Sequence, residues 1–271
     1  MGTTDPGLIE QARNALVDPG RGFQLVRGLY SEDELAAYRA ECQAFMARAP
    51  RFHKRVTASW MFDYVQPYSL DAVERADRLY QYLHNPHSPT ATSVFERTLA
   101  LRNQIEEVWT ADRVYQRERE AQQDYVIVTR YQPGRGQLPR HRDYRGPARL
   151  PLIQSLALLS RPLEDFTGGE LVLYPRAGGP VRMIADLGAR MGDVVLFDKA
   201  LEHEVETTLP GRTDVSRWSV NIGARSRPHG FGQYLKMRAL YGAVTFRVWT
   251  SVVRGTRVAL GRPAVRQRYR G

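Results

Sequence analysis

The chain has 271 residues, 42% of them hydrophobic and 10% aromatic, and its 39 Lys/Arg against 29 Asp/Glu give a formal net charge of +10. A chain of this size and composition buries its own hydrophobic core, which excludes a low-complexity, collagen-like or disulfide-dependent miniprotein. The single cysteine, Cys42, rules out an internal disulfide framework and is typical of a reducing compartment, so we expect a cytoplasmic protein.

The N-terminal part of the chain is predicted to contain helices and one strand. A short helix within residues 1–21 is expected to end at the DPG turn, and the stretch GFQLVRGLY that follows indicates a strand. Ser31, with Glu34 three residues later, forms a capping box, which predicts a helix to about residue 47.

The next stretch combines irregular and helical patterns. Residues 48–69 are irregular and rich in aromatic side chains. Apolar residues three and four positions apart over 70–84 predict a further helix. Ser93 with Glu96 forms a second capping box, which predicts a long helix to about residue 120.

From Tyr125 the pattern changes to short apolar or alternating runs separated by Gly/Pro turns. These runs predict an antiparallel β-sandwich or barrel. They are DYVIVTRYQPG, LPLIQSLALLS, GELVLYP, VRMIADL, GDVVLFD and RWSVNIGAR. We therefore expect a helical support region (1–123), a β core (124–228) and a basic tail (229–271) that form one integrated domain.

Positive charge is concentrated at the C-terminal end. Residues 215–271 contain 12 Lys/Arg and no Asp or Glu, whereas residues 1–214 contain 27 basic and 29 acidic groups. This asymmetry indicates an anionic partner, either an acidic substrate, a membrane surface or a nucleic acid, or else a basic surface that only aids solubility. Apolar residues along one face of 234–253 predict an amphipathic helix that packs on the protein or lies on an anionic membrane. The sequence contains no apolar run of about 18 residues, the length that a membrane-spanning helix needs.

His141 and Asp143, in LPRHRDYRG, lie two positions apart directly after a predicted strand. In extended backbone the side chains of residues i and i+2 point the same way, so the imidazole and the carboxylate face one space. His203, in LFDKALEHEVE, belongs to the downstream β region. Two imidazoles and one carboxylate bind Fe(II) and leave positions open for a 2-oxo acid and dioxygen. Arg217 and Ser219, on one face of the next predicted strand, suit the distal carboxylate of such an acid.

Four segments resemble, in order, the motifs of Fe(II)/2-oxoglutarate-dependent oxygenases, in particular the prolyl-hydroxylase-like branch. RYQPGRGQLPRHRDY is similar to the strand with R-Y-x-P-G and H-x-D, and FTGGELVLYP is similar to the G-G-x-L-x-x-x-P strand pair. MGDVVLFDKALEHEVE resembles the segment of the second histidine, and SRWSVNIGAR resembles the strand of the oxoglutarate-binding arginine. The resemblance covers about residues 124–225. It implies a mainly β fold, a double-stranded β-helix (jelly roll, cupin-like), with flanking α-helices bracing one sheet.

The resemblance also implies roles for individual residues. His141, Asp143 and His203 are expected to bind iron, and Arg217 with Ser219 is expected to hold the distal carboxylate of 2-oxoglutarate.

Three further positions bear on the cosubstrate site. Tyr131 matches the tyrosine of the Y-x-P-G motif and either contacts the cosubstrate or fills the barrel. Arg212, nine residues after His203, is a competing cation. Leu158 stands where some relatives have a cosubstrate-binding tyrosine, so we expect that contact to be absent.

The activity implied is that of a dioxygenase, a hydroxylase using Fe(II), 2-oxoglutarate and O2, with ascorbate as a reductant, and releasing succinate and CO2. Asp143 favours hydroxylation, desaturation or ring formation over chlorination, because related halogenases have a small residue in its place. The expected substrate is a small metabolite or natural-product intermediate, with anionic compounds as one class. Arg142, Arg145, Trp60 and Tyr64 are expected at its entrance.

Three alternatives stay open from the sequence. One is a non-catalytic jelly-roll module that has kept its metal ligands. Another is a nucleic-acid demethylase of the alkylation-repair type, which the basic tail favours and the lack of an evident base-stacking motif disfavours. The third alternative is an enzyme whose basic C-terminal segment makes a peripheral membrane contact and whose substrate is lipid-linked.

Overall fold

The computed structural model describes residues 5–18, 20–51, 63–67, 75–82, 85–106, 122–143 and 153–226. The predicted helix at 234–253 lies outside these ranges, as does most of the aromatic stretch. Within them, no helix is long and apolar enough to cross a membrane.

Three helices precede the β core, and each begins at a side-chain cap. They are α1 (Pro6–Val17), α2 (Glu32–Arg48) and α3 (Pro89–Ile105). The predicted cap of α2 is confirmed, because the Ser31 side chain accepts a hydrogen bond from the Glu34 backbone N–H. The predicted start of α3 is wrong. Ser88 caps that helix and Pro89 occupies its first turn, where a proline loses no helical hydrogen bond. Ser93 lies inside the helix and donates to Glu34 instead.

Thirteen strands are described. They are β1 (Phe23–Val26), β2 (Tyr64–Gln66), β3 (Asp77–Tyr82), β4 (Gln122–Tyr131), β5 (Leu138–His141), β6 (Ile153–Leu158), β7 (Phe166–Gly168), β8 (Leu171–Tyr174), β9 (Val181–Arg182), β10 (Val194–Asp198), β11 (Glu202–Val205), β12 (Thr208–Pro210) and β13 (Arg217–Ser226).

The strands form antiparallel sheets. The large sheet has seven strands in the order β1-β10-β6-β13-β4-β3-β2, and a smaller one has the order β5-β11-β8-β9, with β12 and β7 paired separately. Most neighbours in this order are distant in sequence, so the sheets are assembled by crossovers and not by hairpins alone. This mainly β arrangement with N-terminal helices confirms the predicted fold class.

Alternating side chains give the large sheet two buried faces. On β10, Val194 and Leu196 belong to the apolar cluster that also contains the helices, whereas Val195 and Phe197 belong to a second cluster shared with β8. Successive residues of a strand point to opposite faces, so one face of the large sheet packs on the helices. The other, which we call the inner face, is turned to the smaller sheet.

The helix predicted over 70–84 is wrong at residues 77–82, which form the strand β3. Each residue of β3 pairs with a residue of β4, and Leu79 lies opposite Val128. A strand buried on both faces has no polar side to reveal a period of two, so its apolar residues also satisfy a helical spacing. Residues 70–74 and 83–84 of the predicted helix lie outside the described ranges.

Candidate metal centre and cosubstrate site

The two histidines are brought together by strand pairing. His141 on β5 lies directly opposite His203 on β11 in an antiparallel register. Directly opposed residues project from the same face, and the two imidazole centroids are 4.2 Å apart. Asp143 follows β5, and its backbone N–H donates to the Lys199 carbonyl at 3.1 Å, which holds the carboxylate beside the rings.

One ligand atom from each of these three residues lies within 4.8 Å of the others. The Nε2 atom of His141 is 3.7 Å from Oδ1 of Asp143, and Nε2 of His203 is 3.8 Å from Oδ2. On the opposite side of each ring, Nδ1 faces a backbone carbonyl two residues earlier, that of Pro139 at 2.8 Å and that of Leu201 at 3.0 Å. An Nδ1–H donor in that position leaves the Nε2 lone pair for a metal.

The electrostatics of the site favour a neutral imidazole at His203 and an ionised carboxylate at Asp143, and they act on His141 in the opposite direction from His203. Burial lowers the pKa of His203. Burial also acts to lower the pKa of His141, but hydrogen bonding to Asp143 and to the Pro139 carbonyl outweighs it and raises that pKa. Burial raises the pKa of Asp143, and the interactions with His141 and His203 outweigh it, so the net shift is downward.

These residues fit a divalent transition metal. Within the described ranges, Oδ2 of Asp143 is buried and accepts no hydrogen bond. A buried carboxylate oxygen without a donor is unfavourable unless a cation satisfies it. Two nitrogen donors and one carboxylate suit Fe(II) in particular.

A buried arginine occupies the inner face of the large sheet. Arg217, the first residue of β13, is 0% exposed, and its Nη1 donates to Oγ of Ser219 at 3.3 Å. Its guanidinium carbon is 4.7 Å from the ring centroid of Tyr131, the residue opposite it on β4. Burial lowers the pKa of Arg217. Among the described acceptors, its Nε and Nη2 have no partner. A buried guanidinium whose N–H groups lack acceptors is unfavourable unless an anion binds to it.

Two residues that the sequence did not single out complete this pocket. Thr208, on β12, is 0% exposed, and its hydroxyl has no partner in the described part of the chain. Gly169 separates it from Arg217. A Cβ at Gly169 would lie 2.7 Å from Oγ1 of Thr208 and 2.8 Å from Cδ of Arg217. The G-G pair of FTGGE was the available signal, because a glycine required by a close approach marks the atoms that approach it.

Arg212 and Leu158, the competing cation and the replaced tyrosine noted in the sequence, both lie in described parts of the structure. Arg212 is exposed in the loop after β12, where its backbone N–H donates to the Glu164 carbonyl, whereas Arg217 is enclosed. Leu158 is fully buried on β6 and lies opposite Ser219, so an apolar side chain fills that position.

The structure describes two of the four predicted entrance residues, Tyr64 on the large sheet and Arg142 after β5 of the smaller sheet. Tyr64 is fully buried on β2, and its ring stacks on Tyr80 with centroids 4.7 Å apart. Arg142 is largely exposed and forms an ion pair with Glu202 at 3.1 Å. Trp60 and Arg145 lie outside the described residues.

The fold and this centre define a class of protein. A site of two histidines and one carboxylate with positions left open is the metal centre of non-haem Fe(II) oxygenases. Residues 126–222, which include all three residues of the candidate metal centre, match the family model described as the 2OG-Fe(II) oxygenase superfamily, and we assign this segment to that superfamily. The enzymes of this superfamily use Fe(II) and 2-oxoglutarate, as predicted. Among curated proteins, none matches the sequence.

Solved structures share the fold at low sequence identity. A prolyl-4-hydroxylase from Pseudomonas putida is 18% identical with a TM-score of 0.53, over 81% of this chain and 99% of that one. A Trichoplax adhaerens prolyl hydroxylase, solved with a peptide fragment of hypoxia inducible factor, is 14% identical with a TM-score of 0.51 (87% and 93%). The carbocyclase SnoK from nogalamycin biosynthesis is 15% identical with a TM-score of 0.51 (87% and 93%).

Proposed function

We propose that the protein is a dioxygenase that hydroxylates an unactivated C–H bond of a small molecule. One oxygen atom of O2 enters the product and the other enters succinate, while 2-oxoglutarate loses CO2. The observation that carries this proposal is the convergence of His141, Asp143 and His203, together with the buried and incompletely bonded Arg217 on the inner face.

Each residue has a definite task in this proposal. His141, Asp143 and His203 hold the iron, and the Nδ1 contacts with backbone carbonyls orient both imidazoles toward it. Iron and 2-oxoglutarate, when bound, supply the activation of dioxygen and the oxidation of the C–H bond.

The protein also fixes the cosubstrate. Arg217, Ser219 and Thr208 bind its distal carboxylate, and Tyr131 orients the guanidinium through the contact of its ring. Because this end of the site is fully buried, the carboxylate exchanges water for charge-assisted hydrogen bonds, which suits a guanidinium better than an ammonium group.

The ligand set favours hydroxylation over halogen transfer. Asp143 supplies the third protein ligand from a backbone position fixed by Lys199, so its carboxylate occupies the place that a halide needs. The geometry is equally compatible with desaturation or ring formation, which leave the same succinate. Mass spectrometry separates these outcomes, because hydroxylation adds one oxygen atom and the other two remove two hydrogens.

The test is turnover with Fe(II), 2-oxoglutarate, ascorbate and candidate substrates in air. The wild type is expected to form succinate and CO2 in equal amounts, and His203→Ala and Asp143→Ala are expected to lose both activity and bound iron. Asp33→Ala, which alters an exposed acid of α2, serves as the control and retains both.

A second pair of variants assigns the carboxylate site. Arg217→Gln is expected to raise the concentration of 2-oxoglutarate needed for half-maximal rate, whereas Arg212→Gln leaves it unchanged. Iron binding without succinate formation by the wild type, with every candidate substrate, would instead favour a non-catalytic metal-binding module.

A further inference from the structure

The inner face of the large sheet is closed at one end of β13 and opens along that strand. Arg217, Ser219 and Asn221 lie two positions apart, so their side chains project from the same face. Arg217 is 0% exposed and Ser219 is 3% exposed, whereas Asn221 is partly exposed. The cosubstrate end of this face is therefore enclosed, and the face becomes accessible at Asn221.

The strands on both sides of β13 show the same change. On β4, Ile127 lies directly opposite Asn221 and is partly exposed. On β6, Leu156 lies opposite Asn221 and is 8% exposed, and Gln154, two residues away on the same face, is partly exposed. Diagonal neighbours on paired strands are about 7 to 8 Å apart. Ile127, Asn221 and Gln154 therefore form one contiguous surface, which we call the open patch.

The open patch lies between the metal centre and the cosubstrate site. Gln154 pairs with Phe197 on β10, and the ring of Phe197 is 4.9 Å from that of His203, centroid to centroid. In the other direction, Asn221 follows Ser219 by two residues, which is about 7 Å along the strand. A molecule on the open patch therefore has the metal-binding histidine on one side and the cosubstrate-binding residues on the other.

The carboxamide of Asn221 has an unsatisfied acceptor. Its Oδ1 is buried and accepts no hydrogen bond from the described part of the chain. The amide of Asn85, also partly exposed, is by contrast paired, because its Nδ2 donates to Oδ1 of Asp63 at 2.7 Å. A buried acceptor without a donor is unfavourable. Ionised 2-oxoglutarate has only acceptor oxygens and cannot satisfy Oδ1, so the donor has to come from another molecule.

We propose that the open patch binds the substrate and that Oδ1 of Asn221 accepts a hydrogen bond from it, so that the substrate is a neutral compound with a hydroxyl or N–H group. This inference rests on the proposed function, which places the metal and the cosubstrate on either side of the patch. The three side chains of the patch carry no ionisable group, so they suit a neutral molecule better than an ion. Ile127 offers an apolar contact, and the Gln154 carboxamide offers a further donor and acceptor.

The first experiment measures the thermal stability of the full-length, metal-free protein. Asn221→Leu replaces the unpaired carboxamide by an apolar side chain of similar size, so this variant should melt at the wild-type temperature or above it. Asn85→Leu is the matched control, because it removes a paired amide, and it should lower the melting temperature by about 2 to 4 °C. An equal loss in Asn221→Leu would show that its amide stabilises the fold, and the inference would be wrong.

The second experiment compares hydrogen-bond donors with their methylated counterparts. The probes are cyclohexanol, benzyl alcohol and benzamide, matched with cyclohexyl methyl ether, benzyl methyl ether and N,N-dimethylbenzamide. Isothermal titration uses full-length protein loaded with Mn(II) and 2-oxoglutarate, which does not turn over. We expect at least one donor to bind about 5- to 10-fold more tightly than its counterpart, the factor for one neutral hydrogen bond. Asn221→Leu should bind both members of that pair equally.

The results separate this inference from the proposed function. If the wild type prefers the donor but forms no succinate with Fe(II) and any candidate substrate, the dioxygenase proposal fails while the donor site stands. If the wild type forms succinate but binds donors and methylated counterparts equally, or Asn221→Leu keeps the wild-type preference, the inference is wrong and the oxygenase stands. A changed affinity for Mn(II) in Asn221→Leu with an unchanged preference would identify the donor as water on the metal, which also overturns the inference.

Discussion

Replacing Gly169 with alanine tests the shape of the cosubstrate pocket. Gly169 has a φ of +58°, a left-handed conformation, and it lies between the side chains of Thr208 and Arg217. Alanine adds one methyl group, whose carbon would be 2.8 Å from Cδ of Arg217. Since an ordinary contact begins at 3.4 Å, the arginine has to move by about 0.6 Å or more.

Two separate effects follow from this methyl group. The left-handed backbone destabilises alanine by about 1 to 2 kcal/mol, wherever in the fold it occurs. The displacement acts on Arg217 and on the hydroxyl of Thr208, and their hydrogen bonds to a carboxylate depend on the positions of these groups. Loss of such charge-assisted bonds weakens binding of 2-oxoglutarate by about 10- to 100-fold.

Gly28→Ala is a matched control for the first effect. Gly28 has a φ of +59°, and an added Cβ there meets no atom within 4 Å. Both variants should therefore lose a similar free energy of unfolding in chemical denaturation, with any excess in Gly169→Ala reflecting the contact. Isothermal titration with 2-oxoglutarate in the presence of Mn(II) should show weakened binding for Gly169→Ala alone.

Equal affinity for 2-oxoglutarate in the two variants and the wild type would refute this reasoning. It would mean that Arg217 either does not hold the cosubstrate or is free to move by that distance. Weakened binding in both variants would instead indicate a general loss of rigidity.

Three further predictions concern single side chains. Thr208→Val is expected to weaken 2-oxoglutarate binding by up to about 10-fold, since one hydrogen-bond donor is lost. Thr207→Val, at the exposed neighbouring residue, is the control and should leave the titration curve for 2-oxoglutarate unchanged. Identical titration curves for the two variants would show that Thr208 does not bind the cosubstrate. Cys42 is buried, and burial raises its pKa to about 12. The thiol of the native protein should therefore not react with an aromatic disulfide reagent between about pH 7 and about pH 9. Denatured protein is the positive control, and rapid labelling of the native protein would contradict this prediction. Glu202→Gln should lower iron affinity by less than about 10-fold, because Glu202 pairs with the two arginines that flank His141. Glu164→Gln is the control. An iron affinity of Glu202→Gln equal to that of the wild type would show that these ion pairs do not position the histidine.

Local patterns predicted the elements that depend on neighbouring residues. The Ser31 cap and most of the strand runs from residue 125 onward are confirmed, because caps and turns involve residues a few positions apart. The run VRMIADL is the exception, since only Val181 and Arg182 form a strand. The cap of α3 was misplaced, since Pro89 after Ser88 is as strong a start signal as the Ser93 capping box. Only the surrounding structure selects between two such signals.

The strand β3 was the clearest miss. Its apolar residues follow a helical spacing, and nothing within residues 70–84 reveals that β4 lies alongside. Edge-to-edge pairing is a contact between segments about 50 residues apart, and it satisfies backbone groups that a helix would have satisfied internally.

The sequence by itself determined the chemistry available to this protein: which side chains are able to ligate a metal, the spacing of two positions between His141 and Asp143, and the order of the motifs along the chain. Only the tertiary structure decided which cation is enclosed, because Arg217 and Arg212 are equally basic in sequence and differ in burial alone. The same holds for Thr208 and Gly169, whose relation to the site depends on how the strands pair. Spacing along a strand is set by covalent geometry, whereas register across a sheet is set by packing of the whole core, and no short segment contains that information.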